Sequence, residues 1–247
     1  MTTANALDQV RLLDVQALDT RLNQIAHRRR NLPEHARLAE AQQRADSVRD
    51  RLVAAQTEAG DISRELAKAE ADVDLVRQRA ARNQSRLDAG TGSAKDLQAL
   101  QHELESLARR QSDLEDVELD VMERSEQTQA TVARLEAEQR EVSEAVDKLT
   151  QERDAALGEL DSEAERVRSD RAEIASGLDQ NLITLYEKVR ESSGGVGAAP
   201  LQGGRCEGCR LQLTPTDLNR IRAASPDEVV RCEECRRILV RTPDSGL

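Results

Sequence analysis

Phenylalanine and tryptophan are absent from the 247 residues, and tyrosine occurs once. With 34% of residues charged and almost no aromatic bulk, the chain has too little material for the core of a single large enzyme-like domain. It also lacks any run of about 18 apolar residues, so no membrane span is expected. The opening stretch, MTTANALDQVRLLD, has no apolar block of a secretory signal. The expected location is the cytoplasm.

Cysteine is scarce and clustered, with all four copies near the C-terminus. In a reducing compartment, two close pairs read as a metal site before they read as disulfides. The net charge of -11 argues against a protein that coats nucleic acid or anionic lipid with its whole surface. What the chain does have is alanine, leucine, glutamate, aspartate, glutamine and arginine, mostly good helix formers.

Apolar and small residues from Leu38 recur at alternating steps of three and four, through Val48, Leu52, Ile62, Leu66, Val73 and Val76 to Leu87. That spacing is a heptad seam, rich in alanine, with Asn83 its polar member. The segment 89–93 breaks the pattern, and Ser93 with Asp96 has the form of a capping box that restarts a helix. A second seam then runs from Leu97 through Leu100, Leu104, Val121, Leu135, Val142 and Leu160 to Ile174. Polar residues enter it at Gln111, Glu118, Ser125, Thr128, Gln139 and Arg153.

A short turn makes the two helices antiparallel neighbours, and matching Leu87 with Leu97 brings Leu52 near Val132. Residues 34–87 would extend roughly 80 Å as a helix. An earlier amphipathic stretch, Leu7 to Ile25, ends at Pro33, where a kink or short break is expected. Residues 153–158 look irregular as well, which would let both sides of the hairpin bend at one height. Leu182, Leu185, Tyr186 and Val189 suggest a last helical stretch.

The expected fold is therefore mainly α: a long antiparallel coiled-coil helical hairpin with a kink near Pro33, plus a small C-terminal zinc ribbon. Residues 1–192 form the hairpin with its turn at about 89–93, 193–204 a Gly-rich linker, 205–241 the ribbon and 242–247 a disordered tail.

The ribbon rests on Cys206-Glu-Gly-Cys209 and Cys232-Glu-Glu-Cys235. Each C-x-x-C turn sets two thiolates on one side of a tight knuckle, and two knuckles complete a tetrahedral shell for one structural zinc ion. A closed four-sulfur shell leaves no position for water or substrate. Few apolar side chains lie between 205 and 241, so zinc supplies what the small core cannot. Iron or redox-active dithiols are the alternatives, but the strand–helix setting of a thioredoxin-like pair is missing.

Arg205, Arg210, Arg231, Arg236, Arg237 and Arg241 surround the knuckles and are the candidates for contact with RNA or DNA phosphates. A solvated or protein-docking surface is the competing reading. The ribbon holds no aromatic residue on which a base could stack.

His27-Arg28-Arg29-Arg30 suits a helix C-terminus, whose dipole favours cations, better than a phosphate grip. Gly90, Gly92 and Lys95 do not complete a phosphate loop. His27, His35 and His102 are scattered, and no nucleophile–base arrangement exists, so no enzyme is expected.

Three passages, GTGSAKDLQALQHELESL (90–107), LITLYEKVRE (182–191) and CEGCRLQLTP with CEECRRILVR, resemble the bacterial four-cysteine zinc-ribbon proteins with an N-terminal coiled-coil hairpin. These are often described as nucleic-acid-binding proteins. The resemblance implies a kinked hairpin and a non-enzymatic adaptor role, with members linked to RNA, an alternative sigma factor, or flagellar and secretion machinery. Carried over by position, the four cysteines are the ligands, and Arg236-Arg237 matches the basic position after the last knuckle. Arg210 and Arg236 stand where many zinc knuckles have glycine.

The function read here is a zinc-binding adaptor and nucleic-acid-binding regulator acting through the ribbon, with the coiled coil as spacer or partner-binding arm. The alternative is a purely protein–protein adaptor or chaperone-like scaffold using the hairpin. A protein partner and no membrane are expected. The oligomeric state is a monomer that closes its own seam, or a weak dimer.

Overall fold

The computed structural model describes residues 2–247. The chain runs α1 (Ala6–Arg30), α2 (Pro33–Asp88), α3 (Ala94–Ser176), α4 (Gln180–Ser192), β1 (Ala198–Gln202), β2 (Arg205–Cys206), α5 (Pro215–Ala223), β3 (Val230–Arg231) and β4 (Ile238–Arg241), then a 3-10 turn at Pro243–Ser245. It divides into two compact units. One combines residues 1–35 with 151–247 and the other spans 36–150.

In the second unit, α2 and α3 pair antiparallel. Each seam position of α2, from Leu38 to Leu87, is buried or half-buried, and between 38 and 88 only Gly60 joins them. The register follows the hydrophobic pattern, because Leu52 and Ala55 pack on Leu135 and Val132. Across the seam, Arg77 pairs with Glu115 at 2.6 Å and Arg124 with Glu65 at 3.1 Å.

On α3 the polar members Gln111, Glu118, Ser125 and Thr128 do face inward, whereas Gln139 is exposed. Its neighbour Glu138 takes the half-buried place, where Arg44 and Arg51 reach it from α2 at 3.7 and 3.6 Å. The tip is built as its residues dictate. Gly90 adopts the left-handed φ of 63° that ends α2, and the Ser93 Oγ accepts from the Asp96 amide while Asp96 accepts from the Ser93 N–H.

In the first unit, Asn5 caps α1 by accepting from the Leu7 amide, and His27–Arg30 occupy its last turn. The helix breaks at Asn31–Leu32, and Pro33 opens α2, where a missing N–H costs no hydrogen bond. Arg28 and Arg29 face Glu163 and Asp161 of α3. The irregularity expected at 153–158 does not interrupt α3, which continues as helix past Gly158. A lone glycine weakens a helix without ending it.

The sheet order is β2-β1-β4-β3, with β1 parallel to β4 and the other pairs antiparallel. Strand β1 lies in the stretch expected to be a linker. Gly203 and Gly204, with φ of 54° and 74°, form a two-residue hairpin turn between β1 and β2, so their glycines specify a turn and not a tether. The expected disordered tail is also anchored, since buried Ser245 donates from Oγ to the Leu201 carbonyl at 3.0 Å.

Strand β4 joins two cores. Ile238 and Val240 pack with Leu12, Val15, Leu182 and Tyr186 of the helices, whereas Leu239 packs with Cys206, Cys232 and Ile221 of the ribbon. Successive side chains of a strand point to opposite faces, so a fully buried strand serves both.

Candidate metal centre

The two C-x-x-C turns repeat one another. The amides of Arg210 and Arg236 donate to the carbonyls of Cys206 and Cys232 at 2.7 and 2.9 Å. The Cys206 and Cys232 amides in turn donate to Leu211 and Arg237 at 3.0 and 2.9 Å. Both turns require a left-handed residue after their second cysteine, and both place arginine there, with φ of 61° and 63°.

A non-glycine residue in that conformation costs about 1 kcal/mol. Arg210→Gly and Arg236→Gly are each expected to stabilise the zinc-loaded ribbon by about 0.5–1 kcal/mol, the alanine variants to give no such gain. Chelator-challenge rates of zinc release, measured for glycine against alanine at each position, check this.

The four Sγ atoms lie within 4.8 Å of one another, with Cys206–Cys235 at 3.8 Å and Cys209–Cys232 at 3.9 Å. Zinc bonded to four sulfurs at about 2.3 Å in a tetrahedron needs sulfur–sulfur edges of about 3.8 Å. A disulfide needs about 2.05 Å. The donor set and its spacing fit one structural zinc ion held by Cys206, Cys209, Cys232 and Cys235.

Burial pushes the Cys206 and Cys232 thiols up. Burial acts the same way on Cys235, but hydrogen bonds from the backbone and side chain of Arg237, together with those from Cys232 and Cys209, outweigh it and bring that thiol down to about 7. A cation among them favours all four thiolates.

The six arginines differ in what they touch. Arg241 is folded inward, its guanidinium donating to the carbonyls of Ala224, Ser225, Pro226 and Glu228. Arg237 donates to Val196 and Ser193, tying the ribbon to the end of α4. Arg231 donates to the Arg236 carbonyl, Arg236 pairs with Glu233, and Arg205 pairs with Glu207. Arg210 is exposed and has no ion-pair partner among the described residues. His27, His35 and His102 do not join the cysteine cluster.

One polar centre was not read from the sequence. Asp19 of α1, 3% exposed, accepts two hydrogen bonds from Arg171 of α3 and one from the Tyr186 hydroxyl of α4 at 2.6 Å. Gln16 Oε1 accepts from the Gly197 and Ala198 amides at 2.7 and 3.2 Å, where the chain enters β1. Asp19 raises the Arg171 pKa, and burial first, then Asp19, raises that of Tyr186. The signal that could have pointed here is the single tyrosine of a chain otherwise without aromatics.

With this geometry in view, the likeness to known proteins is specific. Residues 15–194 match the CT398-like coiled coil hairpin domain, and residues 205–239 the C4-type zinc ribbon domain. The chain belongs to this family of hairpin proteins with a four-cysteine ribbon. An uncharacterised protein of Mycobacterium tuberculosis is 40% identical over 242 residues, covering 96% of this chain and 97% of its own. One of Mycobacterium leprae is 33% identical over 218 residues, covering 88% and 93%.

A solved Mycobacterium smegmatis structure superposes with a TM-score of 0.86 at 40% identity, covering 97% of this chain and all of its own. CT398 of Chlamydia trachomatis shares the fold, with a TM-score of 0.68 at 19% identity over 95% and 98% of the two chains. These domains are not known enzyme types, and they fit a non-catalytic zinc-binding protein. Among the described residues no helix is long and apolar enough to cross a membrane.

Proposed function

We propose that the chain is a cytoplasmic protein–protein adaptor. Its zinc ribbon organises the helical base, and its coiled-coil hairpin is the arm a partner protein grips. The observation that carries this reading is the engagement of the ribbon arginines. Arg237 and Arg241 aim their guanidinium donors at carbonyls of their own chain, which leaves few for a phosphate. A hairpin that closes its seam within one chain also favours a monomer with both outer faces available.

Contact with RNA or DNA through Arg205, Arg210, Arg231 and Arg236 is the second reading, favoured by Arg210, which is exposed and unpaired. Binding of that kind weakens linearly on a log–log salt scale, with a slope of close to one for each phosphate that the arginines neutralise.

The test places a photo-cross-linking residue at Lys95 on the tip, at Val53 on the arm and at Leu211 on the ribbon. Adducts with one protein from the arm positions are the expected result. Nucleic acid that cross-links at Leu211 and is lost in Arg210→Ala with Arg236→Ala would replace this reading with the second.

A further inference from the structure

The middle of the arm is patterned against its own stability. Large apolar side chains belong in a seam and polar ones outside it. On α3, however, Glu118, Ser125 and Thr128 face inward, while Val117, Leu119 and Met122 are 52%, 57% and 40% exposed. Local choices that contradict the fold they sit in mark positions shaped by something besides folding.

Leu119 and Met122 lie three residues apart and so share one stripe of the helix. Glu115 and Glu126, four residues before and after, continue the same stripe. The result is an outward-facing seam with an apolar centre and acidic ends.

Its surroundings have one sign. Residues 111–126 hold seven acidic side chains against Arg124 alone, and the facing stretch 58–74 holds six against Arg64 and Lys68. Arg77 and Gln111 occupy Glu115, but Asp116, Asp120, Glu123 and Glu126 have no ion-pair partner among the described residues. Towards the tip the balance reverses, with seven basic residues against four acidic ones between 77 and 110.

Phosphate backbones and anionic lipid are repelled from the acidic middle, and a partner face carrying cations around an apolar centre is attracted. An exposed helix stripe whose apolar residues, Leu119 and Met122, lie three apart is a surface against which an amphipathic helix packs.

We propose that the α3 stripe centred on Leu119 and Met122 docks a basic amphipathic helix of a partner protein. The inference rests on the adaptor reading and narrows it to one surface and one chemistry.

The experiment has two arms on the full chain. An 18-residue helix of leucine and lysine is the soluble probe, followed by fluorescence anisotropy. Leu119→Ser with Met122→Ser is expected to weaken its binding at least tenfold. Val53→Ser, which removes an equally exposed apolar side chain elsewhere on the arm, should leave it unchanged. Equal affinity for both variants would mean attraction by net charge alone and would overturn the proposal.

In cells, a photo-cross-linker at Met122 should join a segment of another protein that carries net positive charge and apolar residues at helical spacing. An adduct with a second copy of this chain, with nucleic acid or with a neutral or acidic segment would sink it. Capture at Lys95 or Val53 without capture at Met122 would remove this surface and leave the adaptor reading standing. No protein captured at any of the three would remove both.

Discussion

Cys232→Ser lowers the metal content from one zinc per chain to less than a tenth and unfolds the ribbon. Cys232 is fully buried beside Cys206 and Leu239, so the ligand and a part of the core are lost together. A structural zinc site contributes about 10–16 kcal/mol, as much as or more than the roughly 5–15 kcal/mol that holds an ordinary domain.

The damage reaches the helical base, because β4 supplies Ile238 and Val240 to the core around Tyr186. Tyrosine fluorescence and exchange of the β1 amides should therefore change. Circular dichroism at 222 nm should change little, since the pairing of α2 with α3 in residues 36–150 needs no zinc. A variant that keeps a full zinc equivalent would overturn the ligand assignment.

Acid should act in the same direction. Thiols bound to zinc are deprotonated in the folded state, with pKa values held below those of the unfolded chain. Their contribution is complete above the usual thiol range and is lost as pH falls, with protons displacing the metal. Zinc release on acidification, read with a chromogenic chelator, should be steeper than a single-proton curve.

Asp19→Ala is expected to destabilise the base by about 2–3 kcal/mol, the cost of leaving the half-buried Arg171 guanidinium with one of its two carboxylate partners. Arg171 would keep only Glu187, and the Tyr186 hydroxyl would lose its shortest partner while keeping Gln16. Tyr186→Phe removes one hydroxyl and keeps the ion pair, so about 1–2 kcal/mol is expected from it.

Hydrogen exchange at Gly197 and Ala198 reads this directly, because both amides donate to Gln16, which the Tyr186 hydroxyl helps to orient. A hundredfold faster exchange in Asp19→Ala corresponds to about 2.8 kcal/mol if these amides open with the base. Unchanged exchange would show that the network does not hold the ribbon to the helices.

The arm was legible because its determinants are local. A three–four alternation fixes which side of α2 turns inward, and Gly90 with Ser93 and Asp96 fixes where the chain reverses. Gln139 failed because a strict seven-residue count cannot see Arg44 and Arg51, which hold Glu138 in its place. The cysteine cluster was legible because two C-x-x-C turns have few other uses.

Strand β1 was missed for the opposite reason. Ala198, Ala199, Pro200 and Leu201 are short and mixed in character, and they become a strand only through pairing with β4 some forty residues later. Asp19 was invisible because a single acid in α1 carries no pattern. Its role appears when α3 and α4 bring Arg171 and Tyr186 to it.

The sharing of β4 between two cores also sets a timetable for synthesis. Leu12 and Val15 leave the ribosome ahead of the Ala198, Ile238 and Val240 side chains that pack with them, which are made about 180 to 230 residues later. Translation at roughly 5–20 residues per second leaves α1 waiting on the order of 10 to 45 s for its neighbours. During that interval a nascent chain exposes Leu12 and Val15, and only the emergence of β4, with zinc at hand, closes the base.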